Sequence, residues 1–300
     1  MDRSPYLIIG GSTKCGTTSL FSYFEFHPDV CACTMKESRY FLEPGYKLIA
    51  QKRDHSGIDS FSELFPNCPD NKLRLEATPD YLYSSIALNR IHNELTNAKM
   101  VFILRKPIGR LVSWFKFARQ LGLIDEKMKL DDFVEIQQSS PDAPQHLRSL
   151  EQGRYSDYLQ KAYAILGSER IMICFYEDLG KAPEALCKSI ADFAGVDPNY
   201  FSGYEFKVYN ASSQGKASKP TRLFRKFKRW VKPVKQRLPL QVRKKLKLAS
   251  FRIEGMLSKG MGIQKQTLEM NQPTIEHIQQ YYAMESEKIK AITGLTPPWD

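Results

Sequence analysis

The stretch LIIGGSTKCGTTSLF, residues 7–21, does most to limit what this chain can fold into. An apolar run turns on glycines and resumes as the start of a helix. That is the outline of a phosphate-binding loop. Glycines let the backbone turn sharply and approach an anion. The first N–H groups of the helix and its dipole favour negative charge there. A nucleotide P-loop reads G-x-x-x-x-G-K-[ST]. Gly11, Gly16 and Thr18 meet that frame, but Thr17 stands where the lysine belongs, and the loop's own lysine is Lys14. Three readings stay open: a damaged nucleotide site, a Gly/Ser/Thr connection with a stray lysine, or a site for another phosphate-bearing donor. In the last, Lys14 supplies a point charge and Thr17, Thr18 and Ser19 supply hydroxyl donors.

The fold is set by the pattern beyond the loop. Nearly continuous apolar runs at residues 6–10, 30–34, 73–77, 99–104 and 170–175 predict parallel strands buried on both faces. Helical patterns lie between them at 17–26, 84–95, 108–119 (after Pro107) and 155–165. A last helix is expected from a cap near Thr274 to a stop at Gly294. This alternation predicts an α/β fold: a P-loop-like open, mainly parallel sheet flanked by helices on both faces. Sites in such sheets gather at the carboxyl ends of the strands. The chain reads as one domain, 1–300, with a basic helical excursion at about 216–260.

A second motif lies in ILRKPIGRLVSWF, residues 103–115. Arg105 ends a strand, and Arg110 and Ser113 fall on the helix after it. Arg105 and Ser113 can converge on a second phosphate. An exposed basic residue and a serine on a helix face are the plainer alternative.

The pair K-x-G-T-T-S-L (from Lys14) and R-x-P-x-x-R-x-x-S (from Arg105) resembles the PAPS-dependent sulfotransferases. HPDVCACTMKESRYF, LEATPDYLYS, GRYSDYLQKAYAILGSERIMICFYEDL and GLTPPW resemble further blocks of that family in the same order. The resemblance is closest to glycan and heparan-type domains of bacterial kind. It implies transfer of a sulfuryl group from 3′-phosphoadenosine 5′-phosphosulfate (PAPS) to a hydroxyl, with no metal required. A carbohydrate or glycolipid acceptor is expected first. A P-loop kinase and a sulfotransferase for small alcohols or phenols are the alternatives.

Residue by residue, the resemblance makes Lys14 the group that stabilises the departing phosphate. Thr13, Cys15, Gly16, Thr17, Thr18 and Ser19 would cradle the 5′-phosphosulfate with it. Arg105 and Ser113 would hold the 3′-phosphate. Gln214, Gly215 and Lys216 would form a loop over the donor. Glu37 matches the general base of glycan members; a surface charge pair with Lys36 is its plain reading. His27 is the rival base, although FHPDV suits a structural turn better. The chain departs from the pattern at Ala77, where glycan members often carry a second lysine that Lys36 or Lys216 could replace. It departs again at Arg39-Tyr40-Phe41, which would change the acceptor cleft.

Charge and cysteines add bounds. The net charge is +11, yet residues 216–252 carry 15 Lys/Arg and no Asp/Glu, so the remainder is 11 − 15 = −4. Leu223, Phe224, Phe227 and Trp230 fall on one helical face of that segment. A core-packed helix, peripheral contact of 219–252 with an anionic membrane and contact with an anionic glycan all suit it. Nucleic acid is not expected, because no recognisable module accompanies the charge. The six cysteines (15, 31, 33, 68, 174, 187) lack metal spacing and read as small buried hydrophobes in a reducing compartment. MDRSPYLIIGG lacks the basic n-region of a leader. A cytoplasmic enzyme, peripheral at most to the inner membrane face, is the expectation.

Overall fold

The computed structural model describes residues 2–46, 60–140, 142–207 and 270–299, with 242, 246, 249 and 250 besides. The chain divides into two compact units: Met1–Ala211 with Glu269–Asp300, and Ser212–Leu268. The first carries the described sheet. Gln214, Gly215, Lys216 and nearly all of the basic segment lie outside the described residues.

Five strands form the sheet: β1 (Tyr6–Gly11), β2 (Val30–Ala32), β3 (Leu73–Ala77), β4 (Ala98–Leu104) and β5 (Ile171–Phe175). Their order is β2-β3-β1-β4-β5, and every neighbouring pair is parallel. The expected open sheet is therefore present and, among the described strands, wholly parallel. Its helices are α1 (Thr17–Phe24), α2 (Ser85–Glu94), α3 (Pro107–Leu121), α4 (Leu130–Glu135), α5 (Tyr155–Leu166), α6 (Tyr176–Lys181), α7 (Pro183–Ala194), α8 (Gln272–Tyr281) and α9 (Glu285–Thr293).

Side chains of a strand alternate between faces, and β1 shows what this does. Tyr6 and Ile8 join one core with Leu88 and Ile91 of α2 and Leu159 of α5. Leu7 and Ile9 join the other with Leu20 and Phe24 of α1 and Ile190 of α7. Both faces are thus covered, which is why the strands read as unbroken apolar runs. The neighbours β1 and β3 send their next helices to opposite faces. A crevice opens at their carboxyl ends, where such sheets bind ligands.

The carboxyl-terminal helix differs from expectation. Asn271 caps it by accepting from the Thr274 N–H at 2.8 Å, and it breaks after Tyr281 before α9 begins. Tertiary bonds decide the break. Tyr282 donates to the Leu150 carbonyl at 2.6 Å, and the buried Glu285 accepts from the Ser156 N–H and hydroxyl at 2.6 and 3.0 Å. Gly294 ends α9 with a left-handed φ of 75°.

The cysteine reading needs correction. Cys15, Cys33, Cys174 and Cys187 are free and buried, but Cys31 and Cys68 form a disulfide. Sequence spacing could not bring that pair together. Contact between edge strand β2 and the turn after the 3-10 segment Phe61–Leu64 does so. Among the described residues no helix is long and apolar enough to cross a membrane.

Candidate active site

The loop after β1 is pinned from below and left polar above. A Cβ on Gly10 would come within 2.5 Å of Met100 Cε, and one on Gly11 within 2.8 Å of Leu82 Cβ. Gly11 thereby makes room for Leu82, while the Gly10 contact is with the tip of a flexible side chain. The Ser12 N–H donates to the Ile103 carbonyl at 2.8 Å, and its hydroxyl pairs with Tyr83 Oη at 2.5 Å. Lys14 and Gly16 then take left-handed φ values of 66° and 92°, and α1 begins. An α-helix leaves its first N–H groups without carbonyls to donate to. Here those groups include Thr17 and Thr18, and no acidic side chain occupies the first turn. The arrangement suits an anion. Thr17 and Ser19 are buried, Thr18 is partly exposed, and Cys15 is wholly buried toward Tyr155. Cys15 can therefore contribute backbone only, and burial pushes its thiol up.

Lys14 stands at the mouth of this loop, with Nζ 4.1 Å from the centroid of the Phe117 ring. Burial, and then the neighbouring Arg105, push its ammonium down to about 8, while Glu37 pulls the other way.

Arg105 leaves β4 at the same edge. Its Nη1 donates to the Lys14 carbonyl at 3.4 Å, and its guanidinium lies 4.4 Å from the Tyr176 ring centroid. Gly109 leaves room for it; a Cβ there would meet Arg105 Nε at 3.3 Å. Ser113 is one turn beyond Gly109, on the same face of α3, and is half-buried. Ser113 thus lies one turn further along the α3 face that Arg105 approaches.

Three other motifs brace this corner from behind. Tyr155 donates to the Arg105 carbonyl at 3.0 Å. Glu177 accepts from the Lys106 N–H at 3.1 Å and from the Trp299 indole at 3.2 Å. Trp299 packs against Tyr155 and Phe175. The GRY, YED and PPW blocks, far apart in sequence, thus hold one turn of backbone.

Arg110 is a functional candidate that sequence reasoning placed on the helix without a role. It is fully buried beneath the loop. It donates to the Thr13 carbonyl (3.2 Å), Thr13 Oγ1 (2.9 Å), the Ser149 carbonyl (2.7 Å) and Gln152 Oε1 (3.0 Å). All four acceptors are uncharged. The Thr13 hydroxyl is therefore turned inward, and the loop rests on a buried cation.

Glu37 approaches from the side of β3. Its N–H donates to the Ala77 carbonyl at 2.9 Å. Its carboxylate takes Lys36 Nζ at 2.9 Å and Arg39 Nη2 at 3.3 Å, with about a third of the side chain (36%) exposed. Burial opposes its ionisation, but Lys36, Arg39 and Lys14 outweigh burial and hold it below the usual carboxylate range. The Lys36 pair expected of a surface residue is present, and Arg39 shares the same carboxylate. His27 is elsewhere. It lies beyond the far end of α1, about 12 Å of helix from the loop. It is fully buried, with Nε2 2.9 Å from the Asp197 carbonyl oxygen and Nδ1 accepting from the Asp29 N–H at 3.1 Å. Its environment is that of a structural turn.

These features define an α/β enzyme class with an anion-receiving loop at the carboxyl edge of a parallel sheet. Residues 4–292 match the sulfotransferase domain family, and the chain belongs to it. It is an enzyme of the PAPS-dependent sulfotransferase class. The human bifunctional heparan sulfate N-deacetylase/N-sulfotransferase 2 is 30% identical over 210 residues, 66% of this chain and 22% of that protein. The type 1 enzyme of Xenopus tropicalis is 29% identical over 208 residues, 65% of this chain and again 22% of the relative. The chain thus spans about a fifth of the length of these relatives. Among solved structures, a sulfotransferase from Alicyclobacillus acidocaldarius superposes with a TM-score of 0.65 at 16% identity, covering 98% of this chain and 97% of the other. That likeness is one of fold.

Proposed function

We propose that this enzyme moves the sulfuryl group of PAPS to a hydroxyl or amine of a carbohydrate. One observation carries the reading: Lys14 sits in the loop that opens onto the free N–H groups at the start of α1, with Arg105 Nη1 donating to its carbonyl at 3.4 Å. Glu37, fixed by its N–H on the Ala77 carbonyl at the end of the neighbouring strand β3, supplies a carboxylate for the acceptor proton. The heparan-type relatives support the carbohydrate.

Glu37 removes the acceptor proton as the acceptor's lone pair bonds to sulfur. The bond from sulfur to the 5′-phosphate oxygen breaks, and its electrons stay on the phosphate. Lys14 and the N–H groups at the start of α1 stabilise that charge. Arg105 and Ser113 place the 3′-phosphate, so positioning and electrostatics supply the catalysis. The charge of residues 216–252 supports contact with an anionic glycan or membrane surface.

The test has two arms. Adenosine 3′,5′-bisphosphate without metal should raise the melting temperature more than ATP–Mg does. Labelled PAPS should then transfer label to de-N-sulfated heparan. A preference for ATP–Mg sinks the donor assignment. Transfer only to small alcohols or phenols sinks the acceptor assignment.

A further inference from the structure

We infer that Glu76 is a positioning residue that sets the geometry of the base Glu37 by holding the backbone on which it is mounted. The inference rests on Glu37 being the base, as proposed for this enzyme.

Glu76 lies in β3 and is fully buried, and its hydrogen bonds run to the Ser38–Thr78 side of the crevice, not to Lys14 or the β1–α1 loop. One of its oxygens, Oε1, takes three donors: the Ser38 N–H at 3.2 Å, the Ser38 hydroxyl at 2.9 Å and the Thr78 hydroxyl at 2.6 Å. Thr78 Oγ1 in turn accepts from the Arg39 N–H at 3.0 Å. With the Glu37 N–H on the Ala77 carbonyl, three consecutive N–H groups, 37 to 39, are tied to three consecutive residues of β3 and its end. Glu76 is the member that joins two of the three ties.

The backbone so held needs holding. Glu37 and Arg39 have left-handed φ values of 59° and 57°, one on each side of Ser38. Non-glycine residues there are uncommon and strained. Such strain persists only where the surroundings over-determine it, and it clusters at functional sites. Left to relax, either residue would rotate its side chain away, and Glu37 would no longer face the crevice.

A carboxyl group is also an expensive way to build a core. Burial pushes Glu76 up to about 7 despite its three donors, and its Oε2 has no hydrogen-bond partner among the described residues. Neither cost serves packing. A buried polar group kept on such terms is better explained by the conformation it imposes.

The test uses Glu76→Leu, Glu76→Gln, Glu37→Gln and the double variant Glu37→Gln/Glu76→Leu in the full chain. Glu76→Gln keeps an acceptor oxygen and should hold turnover within about fivefold of wild type. Glu76→Leu should lower kcat about 30-fold or more, with bisphosphate affinity changed less than twofold. In the Glu37→Gln background, Glu76→Leu should cost less than twofold, because the two act as one unit. A full-size loss in that background overturns the inference, as does a Glu76→Leu enzyme with near-normal kcat. Hydrogen exchange supplies an arm that needs no acceptor: the amides of residues 37–39 should exchange faster in Glu76→Leu while those of β1 do not. Unchanged exchange there overturns it too. If Glu76→Leu fails to fold, Thr78→Val, which removes one donor and the Arg39 tie, should show the same kcat loss at smaller size. A Thr78→Val enzyme with wild-type kcat then overturns the inference. Failure of the base assignment looks different: Glu37→Gln itself would remain active.

Discussion

Breaking the Cys31–Cys68 bond tests how the acceptor side of the site is built. The bond spans 37 residues of sequence, and Lys36, Glu37, Ser38 and Arg39 all lie within the closed stretch. Cross-linking removes conformations from the unfolded chain in proportion to the logarithm of loop length. For a loop of this size the term is about 4 kcal/mol at 25 °C. That term acts on the unfolded chain, so the native ties of residues 37–39 to the end of β3 do not offset it. At about 2 °C per kcal/mol for a domain of this size, the melting temperature should fall by about 8 °C. The assay is thermal unfolding of wild type and Cys31→Ser/Cys68→Ser, each with and without reductant. Wild type should respond to reductant and the double variant should not, because the other four cysteines are free. The β1–α1 loop hangs from β4 through Ser12 and Ile103, so bisphosphate affinity should stay within twofold. Six titratable thiols in the denatured, unreduced protein would refute the reasoning, as would a wild-type melting temperature indifferent to reductant.

The same geometry sets further expectations. Lys14→Ala should lower turnover about 100- to 1,000-fold, as loss of a transition-state charge partner does. Glu37→Gln should lower it at least 100-fold while leaving bisphosphate affinity near wild type. Steady-state rates and calorimetry separate the two. Arg110→Lys keeps the charge but not the fork of donors; calorimetry should show bisphosphate binding weakened about tenfold. The Lys14 ammonium must be charged to act and is pushed down to about 8. In a pH series, kcat/KM should therefore fall as pH rises through about 8. Glu37 is held below the ordinary range, so no loss is expected from its side near neutral pH.

The sheet was legible because parallel strands buried on both faces must be apolar throughout. All five expected strands form, with ends shifted by a residue or two where a local bond intervenes. β2 stops at Ala32, for example, because the Thr34 N–H goes to the Leu64 carbonyl instead of the ladder. Lys14, Arg105 and Glu37 stand out as candidates in the sequence because their neighbours, glycines and strand ends, carry the signal. Arg110 does not, since its partner Thr13 lies 97 residues away. Glu76 reads as a strand residue until Ser38, 38 positions earlier, is seen against it. The disulfide was hidden for the same reason. α7 carries ordinary helix signals in the sequence as well: Pro183 opens it, and Gly195 closes it with a left-handed φ of 78°.

The charges around the loop point to one more measurable consequence. Lys14, Arg105 and Arg110 converge on the same few residues of backbone, and the acceptors of Arg110 are all neutral. Lys14 registers the result: after burial, Arg105 is the largest influence lowering its pKa. Glu37 only partly offsets this, as Lys36 and Arg39 already claim its carboxylate. The loop thus holds more positive charge than its surroundings balance. A bound dianionic phosphate would reverse the sign of the field at Lys14 and raise its pKa. Near pH 8 about half of the free enzyme has a neutral Lys14, so binding must draw in about half a proton per site. Calorimetry of bisphosphate binding in buffers of different ionisation enthalpy reads that number directly. Uptake should grow as pH rises above 8, toward the midpoint between the free and ligand-bound values, and vanish about two units below 8, where the ammonium is already charged. Lys14→Ala should show none at either pH. Equal uptake in wild type and Lys14→Ala would mean that another group titrates. The charge on Lys14 would then not be coupled to the ligand.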